Sequence, residues 1–347
     1  MREMLDRFLL SVSCRNHPED LFCLCSGIAI NVHRLKELAY ELSVQSLPYE
    51  AYSDPYFPAK NNDFAEFVLF CNVINFCTFD PATRDKISLR AYNDEGAMID
   101  YPGSEALAVA VRHAVDAGTI SIDANFIASE KFSYSVFRQV FENITPCPQY
   151  MDKDNGEQRF HMLKGFARDT QLLYGGSFLN ILKYSRNSAC HSGYGLVHRL
   201  KRMSGYNGDL LGKRALLSAY MIHSRGILTE DTLLTMGDVA HLAPLADPHI
   251  FRMLFVKGIL LVGSALERKI ASGTIFNCAI KEDNLEILAM RRESIKAMIF
   301  LLRRINYLRG VSGLNLMTMP QLDNYLWRVS RSRADDRGYF YALTTDC

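Results

Sequence analysis

Asp247 stands between an apolar approach, Leu245-Ala246, and Pro248, a residue suited to open a helix. Lys213, 34 residues earlier, sits with Arg214 in Gly212-Lys213-Arg214-Ala215, a cationic pair at the expected start of another helix. A lone carboxylate and a phosphate-sized cationic site suit cleavage of a nucleotide's N-glycosidic bond. That bond breaks through an oxocarbenium-like state, which a nearby carboxylate stabilises, and the phosphate gives the enzyme something to hold. Each feature also has a plainer use. Asp at an N-cap followed by Pro is a common helix start, contributing about 1 kcal/mol. The two uses are compatible, because a capping carboxylate is fixed in orientation. A Lys-Arg pair at a helix start gains backbone N–H donors and a partial positive charge for an anion, or is simply a solvated face.

Other candidates are weaker alone. Phe64, Phe67, Phe70, Phe76 and Phe79 cluster with Asn72 and Asn75, a set that could stack a heterocyclic base and read its edge, or fill a core. Tyr174-Gly175-Gly176-Ser177-Phe178 could bring backbone and Ser177 to a ligand at a helix start, with Asn180 one turn on, but it is no GxGxxG or phosphate loop. Trp327, the single tryptophan, shares a terminal helix with Leu322, Tyr325 and Leu326, where docking against the core is the default. The histidines, His249 among them, lack metal-ligand spacing, and there is no G-x-S-x-G segment.

The elements that would position these groups read as helices. Apolar periodicity predicts them over 35–42, 104–117, 131–142, 158–173, 178–184, 213–223, 248–262 and 285–308. Thr318 and Gln321 form a capping box before another. Phe67–Phe79 and Thr119–Ile122 carry strand-like composition, and no βαβ rhythm occurs. The expected fold is mainly α with minor β content. Breaks fall near 53–62, 145–156 and 308–317, so the expectation is one domain over 1–347, with possible lobes 1–155 and 156–347.

Composition narrows the function. With 347 residues, 48% hydrophobic and 22% charged, the chain is an ordinary globular one. A net charge of +1 disfavours a dedicated binder of long nucleic acid but allows a local pocket for a small anion. Nine cysteines, an odd number in mostly apolar surroundings, read as reduced thiols; Cys23 and Cys25 have no second pair, so structural zinc is not expected. The N-terminal residues carry Glu3 and Asp6, unlike a signal peptide, and the apolar stretch at 254–262 is too short for a membrane span. The expected setting is soluble and cytoplasmic, away from membranes.

Taken in order, several segments resemble the queuosine salvage family, the queuosine 5′-phosphate N-glycosylases. Asn75-Phe76-Cys77 is similar to the family's N-F-C segment, and Tyr101-Pro102-Gly103 to its Y-x-G segment. The run from Asp116 to Ile122 resembles its D-x-G-I-P-I turn, and Gly212-Lys213-Arg214-Ala215 its F-Y-K-R-A-Q segment. Leu245-Ala246-Asp247-Pro248-His249-Ile250 resembles F-A-D-Y-R-V-P-Q, and Leu322-Asp323-Asn324-Tyr325-Leu326-Trp327 the terminal L-D-x-x-L-W helix. The chain departs from the pattern at Thr78-Phe79, Ser104-Glu105, Leu216 and Pro248-His249.

The resemblance implies a helical fold related to helix-hairpin-helix DNA glycosylases, with no metal or cofactor. It implies cleavage of queuosine 5′-phosphate, freeing queuine for tRNA modification, in a protein expected to be monomeric. Asp247 takes the catalytic position and Lys213, with Arg214 beside it, the phosphate position. The base and sugar would meet residues drawn from Asn75, Phe76, Phe79, Ser177, Asn180, His249 and Trp327. The alternative is a divergent, non-catalytic or altered-specificity member that binds a nucleotide or 7-deazaguanine base.

Overall fold

The computed structural model describes residues 20–23, 27–50, 52, 56–92, 95–144, 147–245, 247–333 and 338–343. The chain begins with strands β1 (Asp20–Cys23) and β2 (Ile28–Asn31), then helices α1 (Val32–Ser43) and α2 (Asn61–Ile74). A hairpin of β3 (Ser88–Tyr92) and β4 (Met98–Pro102) leads into α3 (Ser104–Asp116), α4 (Ala124–Ala128) and α5 (Tyr134–Gln139). Long α6 (Lys153–Tyr174) is followed by α7 (Phe178–Ser185), α8 (Leu196–Leu200) and α9 (Lys213–Leu228). Next come α10 (Pro248–Val256), β5 (Leu260–Val262), α11 (Ser264–Ala271) and β6 (Ile275–Asn277). The chain closes with α12 (Lys281–Val311), α13 (Met319–Arg331) and β7 (Tyr341–Leu343). Helix dominates and the strands are short, so the protein is mainly α with minor β content.

The chain divides into two compact units, a terminal one built from Met1–Tyr49 and Asp238–Thr345, and a central one, Glu50–Gly237. In the terminal unit β2 lies between β1 and β5 in an antiparallel sheet, and β6 pairs with β7 in parallel. Helix α12 packs on α1, α10 and β2 and buries a stripe including Met290, Ala297, Leu301 and Ile305, spaced by the helical repeat. Helix α13 packs on α10, and the sequence-predicted box at its start is present, with the Thr318 amide donating to Gln321 Oε1 at 2.9 Å.

In the central unit α2 packs against α6, α7 and α9, and from Phe64 to Ile74 only Glu66 escapes full burial. This corrects the strand expectation for 67–79. A helix buried on nearly every side loses its polar face, so aromatic and β-branched residues crowd it and the amphipathic period disappears. Phe79 joins only an isolated bridge with Lys86, and Thr119 and Ile120 instead turn back to bond the Ala114 carbonyl. The β3–β4 hairpin is an addition to the sequence expectation; in β3, Leu89 and Ala91 are buried between exposed neighbours. Helix α10 ends at Val256 rather than 262 because Gly258, at φ +70°, turns the chain into β5. The buried Cys147 thiol is pushed up to about 11 by desolvation, and Cys71 rises for the same reason, so both are inert fillers. The Cys23 and Cys25 side chains lie outside the described residues.

Candidate functional site

Asp247 caps α10. Its backbone is extended, Pro248 takes the first helical position, and Oδ1 accepts the His249 amide at 2.8 Å. At 8% exposure it is deep for a carboxylate, and the amide donor and positive helix end both face its charge. Helix α13 splints the segment around it. The 1% exposed Asp323 accepts the Leu245 amide at 2.9 Å, two residues ahead of Asp247. Behind Asp247, the Ser330 hydroxyl meets His249 Nδ1 at 3.0 Å, and Arg252 donates to the Ser330 carbonyl at 2.9 Å.

His249 and Trp327 come together here, their rings 6.0 Å apart edge to face, with Tyr339 on the His249 ring at 5.0 Å. Trp327 is half-buried, and the Arg331 guanidinium covers its ring at 4.7 Å.

The other candidates belong to the central unit. Lys213 opens α9 and is 8% exposed, behind Gly212 at φ +70°. The helix start already holds an anion. Asp209, 1% exposed, accepts the Gly212 amide with Oδ1 at 3.0 Å and the Arg214 amide with Oδ2 at 2.7 Å. Arg214 is turned inward: Nη1 donates to the Val73 carbonyl at 2.5 Å, Nε lies 4.0 Å from Asp209, and its Cζ is 5.8 Å from the Phe76 ring centre. The guanidinium therefore ties α9 to the carboxyl end of α2.

Phe76 and Asn75 sit where α2 runs out. A helix leaves its last carbonyls without intrahelical partners, and here a fully buried arginine collects them. Arg159 on α6 donates to the carbonyls of Ile74 (3.2 Å), Phe76 and Cys77 (3.2 Å), and to that of Tyr150 at 2.6 Å. Its guanidinium also faces the Phe76 ring at 4.6 Å. Burial pushes Arg159 down to about 10, which leaves it charged at neutral pH. Asn75 is half-buried and reaches Asn72 at 3.5 Å, while Asn72 donates to Ser218 at 3.0 Å. Ser177 and Asn180 each have a partner within the central unit. Ser177 Oγ donates to Glu66 at 3.4 Å, and Asn180 Nδ2 to the Tyr174 carbonyl at 2.9 Å. Phe64, Phe67 and Phe70 are core.

A family model described as queuosine salvage protein matches residues 56–345. The chain belongs to the queuosine salvage protein family. No curated protein matches it. The match runs through segments of both units, and includes Asp247, Lys213 and the L-D-x-x-L-W-like helix. Among the described residues no helix is long and apolar enough to cross a membrane, and no three His, Cys, Asp or Glu side chains gather to hold a metal ion.

Sequence reasoning missed three residues that hold the candidate segments in place within their own units: Arg159, Asp209 and Asp323. Two had a readable signal. Arg159 shares the buried stripe of α6 with Leu163, Phe166 and Thr170, and Asp323 that of α13 with Met319, Leu326 and Ser330. A charge on an apolar stripe has to find partners inside the protein. Asp209 carries no such signal, because it caps α9 from outside the helix.

Proposed function

We propose that this member of the queuosine salvage family hydrolyses the N-glycosidic bond of queuosine 5′-phosphate, with Asp247 as the catalytic carboxylate. The observation that carries the reading is the posture of Asp247: buried, oriented by the His249 amide, and flanked by two attachments to α13. A negative charge fixed in this way stabilises the developing oxocarbenium ion without reorganising. The bond between C1′ and the base nitrogen breaks, its electron pair leaves with the base, and a water oxygen bonds to C1′. One water proton goes to the base and the hydroxyl stays on the sugar, giving queuine and ribose 5-phosphate. Asp247 orients that water and holds its proton in passing. Lys213 pairs with the phosphate, and Arg214 supports it through α9. Phe76, Phe79, Asn75, Ser177, Asn180, His249 and Trp327 are proposed for the base and sugar. The protein acts as a cytoplasmic monomer on a small nucleotide, without a cofactor and without long nucleic acid.

The second reading, a member that binds nucleotide without cleaving it, draws on His249. It stands where the family pattern has an arginine, and its ring is buried among Ser330, Trp327 and Tyr339.

One experiment separates the readings: incubate the protein with queuosine 5′-phosphate and measure free queuine by mass spectrometry. Wild type releases queuine, and Asp247→Ala loses on the order of 10³-fold or more in turnover while still binding nucleotide. Near-normal turnover in Asp247→Ala contradicts the assignment, and binding without release by wild type favours the second reading. Lys213→Ala raises KM for the 5′-phosphate by about tenfold or more, against little change for the nucleoside. Equal effects on both substrates argue against the phosphate contact.

A further inference from the structure

We propose that Lys201 supplies the second positive charge of the phosphate subsite, next to Lys213; this rests on the nucleotide reading above. A phosphate monoester carries about −1.5 to −2 charges at neutral pH, so a single ammonium leaves it undercompensated. Arg214 is fully buried, donates from Nη1 to the Val73 carbonyl and has its Nε 4.0 Å from the Asp209 carboxylate, so its charge faces inward, and Asp209 already holds α9 amides. The added charge has to come from another element.

Lys201 follows α8 and is half-buried. Its side chain lies across Gly212, the residue immediately before Lys213. A Cβ at position 212 would sit 2.9 Å from Lys201 Cδ, 3.2 Å from Cε and 3.3 Å from Nζ. Glycine there does two things: it permits φ +70°, and it leaves room for the Lys201 chain to bring its ammonium to the start of α9.

The ammonium has no hydrogen-bond or ion-pair partner among the described residues. Other partly buried lysines do: Lys164 donates to the Ser129 carbonyl at 2.7 Å, Lys269 to Glu286 at 2.7 Å and Lys296 to Glu293 at 2.7 Å. The sequence ahead of Asp209 supplies no counter-ion either, and Asp209 gives its two oxygens to the Gly212 and Arg214 amides. Residues 170–208 contain Lys183, Arg186, Arg199, Lys201 and Arg202 but no aspartate or glutamate. Asp169, at the edge of that tract, accepts the Ser204 amide at 2.6 Å. The local field also shows at His198, held below the usual histidine value by burial and then by Arg202, Arg199, His191 and Lys201. A positive, partly desolvated corner beside Lys213 is matched by a compact dianion such as a terminal phosphate.

The test compares wild type, Lys201→Ala, Lys201→Arg and Lys213→Ala, each checked for an unaltered melting temperature. The readouts are the ratio of kcat/KM for queuosine 5′-phosphate to that for the nucleoside, and the inhibition constant of inorganic phosphate. Lys201→Ala should lower the ratio and weaken phosphate inhibition, each by about tenfold or more, with the loss in KM rather than kcat. Lys201→Arg should recover most of both, which a merely structural lysine would not require. If Lys213→Ala abolishes the phosphate preference while Lys201→Ala keeps it, the Lys201 role is overturned and the nucleotide reading stands. If wild type itself shows no preference for the 5′-phosphate, the subsite reading and the Lys201 role fall together.

Discussion

Helix α9 of the central unit and helix α10 of the terminal unit both start on a carboxylate, and the two carboxylates are used differently. Asp209 reaches α9 from outside the helix and gives both oxygens to backbone amides, with the Arg214 guanidinium alongside. Asp247 is the N-cap itself, accepts the amide of His249, and keeps more exposure than Asp209. The difference teaches that a buried carboxylate at a helix start is not by that fact a reaction centre. Asp209 is committed to its own backbone. Asp247 is the cap within its own helix, and its neighbours Leu245 and His249 are tied to α13. Glu66 offers a third case: from α2 it accepts the Leu179 amide at 3.3 Å and the Ser177 hydroxyl at 3.4 Å, at the start of α7.

The comparison can be broken at each carboxylate. Asp209→Ala should have the largest effect on stability, because it leaves the buried Arg214 beside uncapped amides. The expected cost is about 3 kcal/mol or more, seen as a fall of roughly 10 °C in Tm by calorimetry. An unchanged Tm would show that Asp209 is not the anchor its hydrogen bonds suggest. Asp247→Ala should cost only about 1 kcal/mol, the usual worth of an N-cap, and a loss as large as that of Asp209→Ala would make Asp247 primarily structural.

Glu66→Gln should have the smallest effect, within about 0.5 kcal/mol, and a characteristic pH dependence. Burial is the leading influence on Glu66 and raises it above the usual glutamate value, against its two hydrogen bonds. A raised folded value means that its contribution favours folding below the unfolded value and is lost as pH rises through the folded one. The ionised form is then a small cost at neutral pH. Glutamine removes that cost and still accepts the Leu179 amide. The Tm of the variant should therefore match or slightly exceed wild type at pH 7.5, and the difference should vanish as pH falls through the glutamate range. A clear loss at pH 7.5 would show that α7 needs the charge.

Much of this was legible where local chemistry and the final structure agree. Asp247-Pro248 reads as a helix start and is one; Thr318 with Gln321 reads as a capping box and is one. The helical class follows from the periodicity of α3, α6, α7 and α12, and the family from short segments whose order was informative. The rest depended on tertiary contact. Helix α2 read as strand because burial on nearly all sides removed its polar face. The Arg214 hydrogen bond to the Val73 carbonyl left no sequence signal, because its partner is 141 residues away. Arg159 carried no motif, yet it holds the Asn75-Phe76-Cys77 segment by its carbonyls. Capping is local and leaves a local mark; a buried charge is defined by distant partners and leaves little more than its place on an apolar stripe.

Asparagine at position 247 tests the central claim most directly. Asn caps a helix about as well as Asp, so Asp247→Asn should keep the His249 hydrogen bond and a Tm equivalent to within about 0.5 kcal/mol of stability. It removes only the charge. The account predicts a folded protein that binds queuosine 5′-phosphate and releases queuine on the order of 10³-fold more slowly than wild type. Release of queuine by Asp247→Asn at close to the wild-type rate would contradict it, and would leave Asp247 as a helix cap and nothing more.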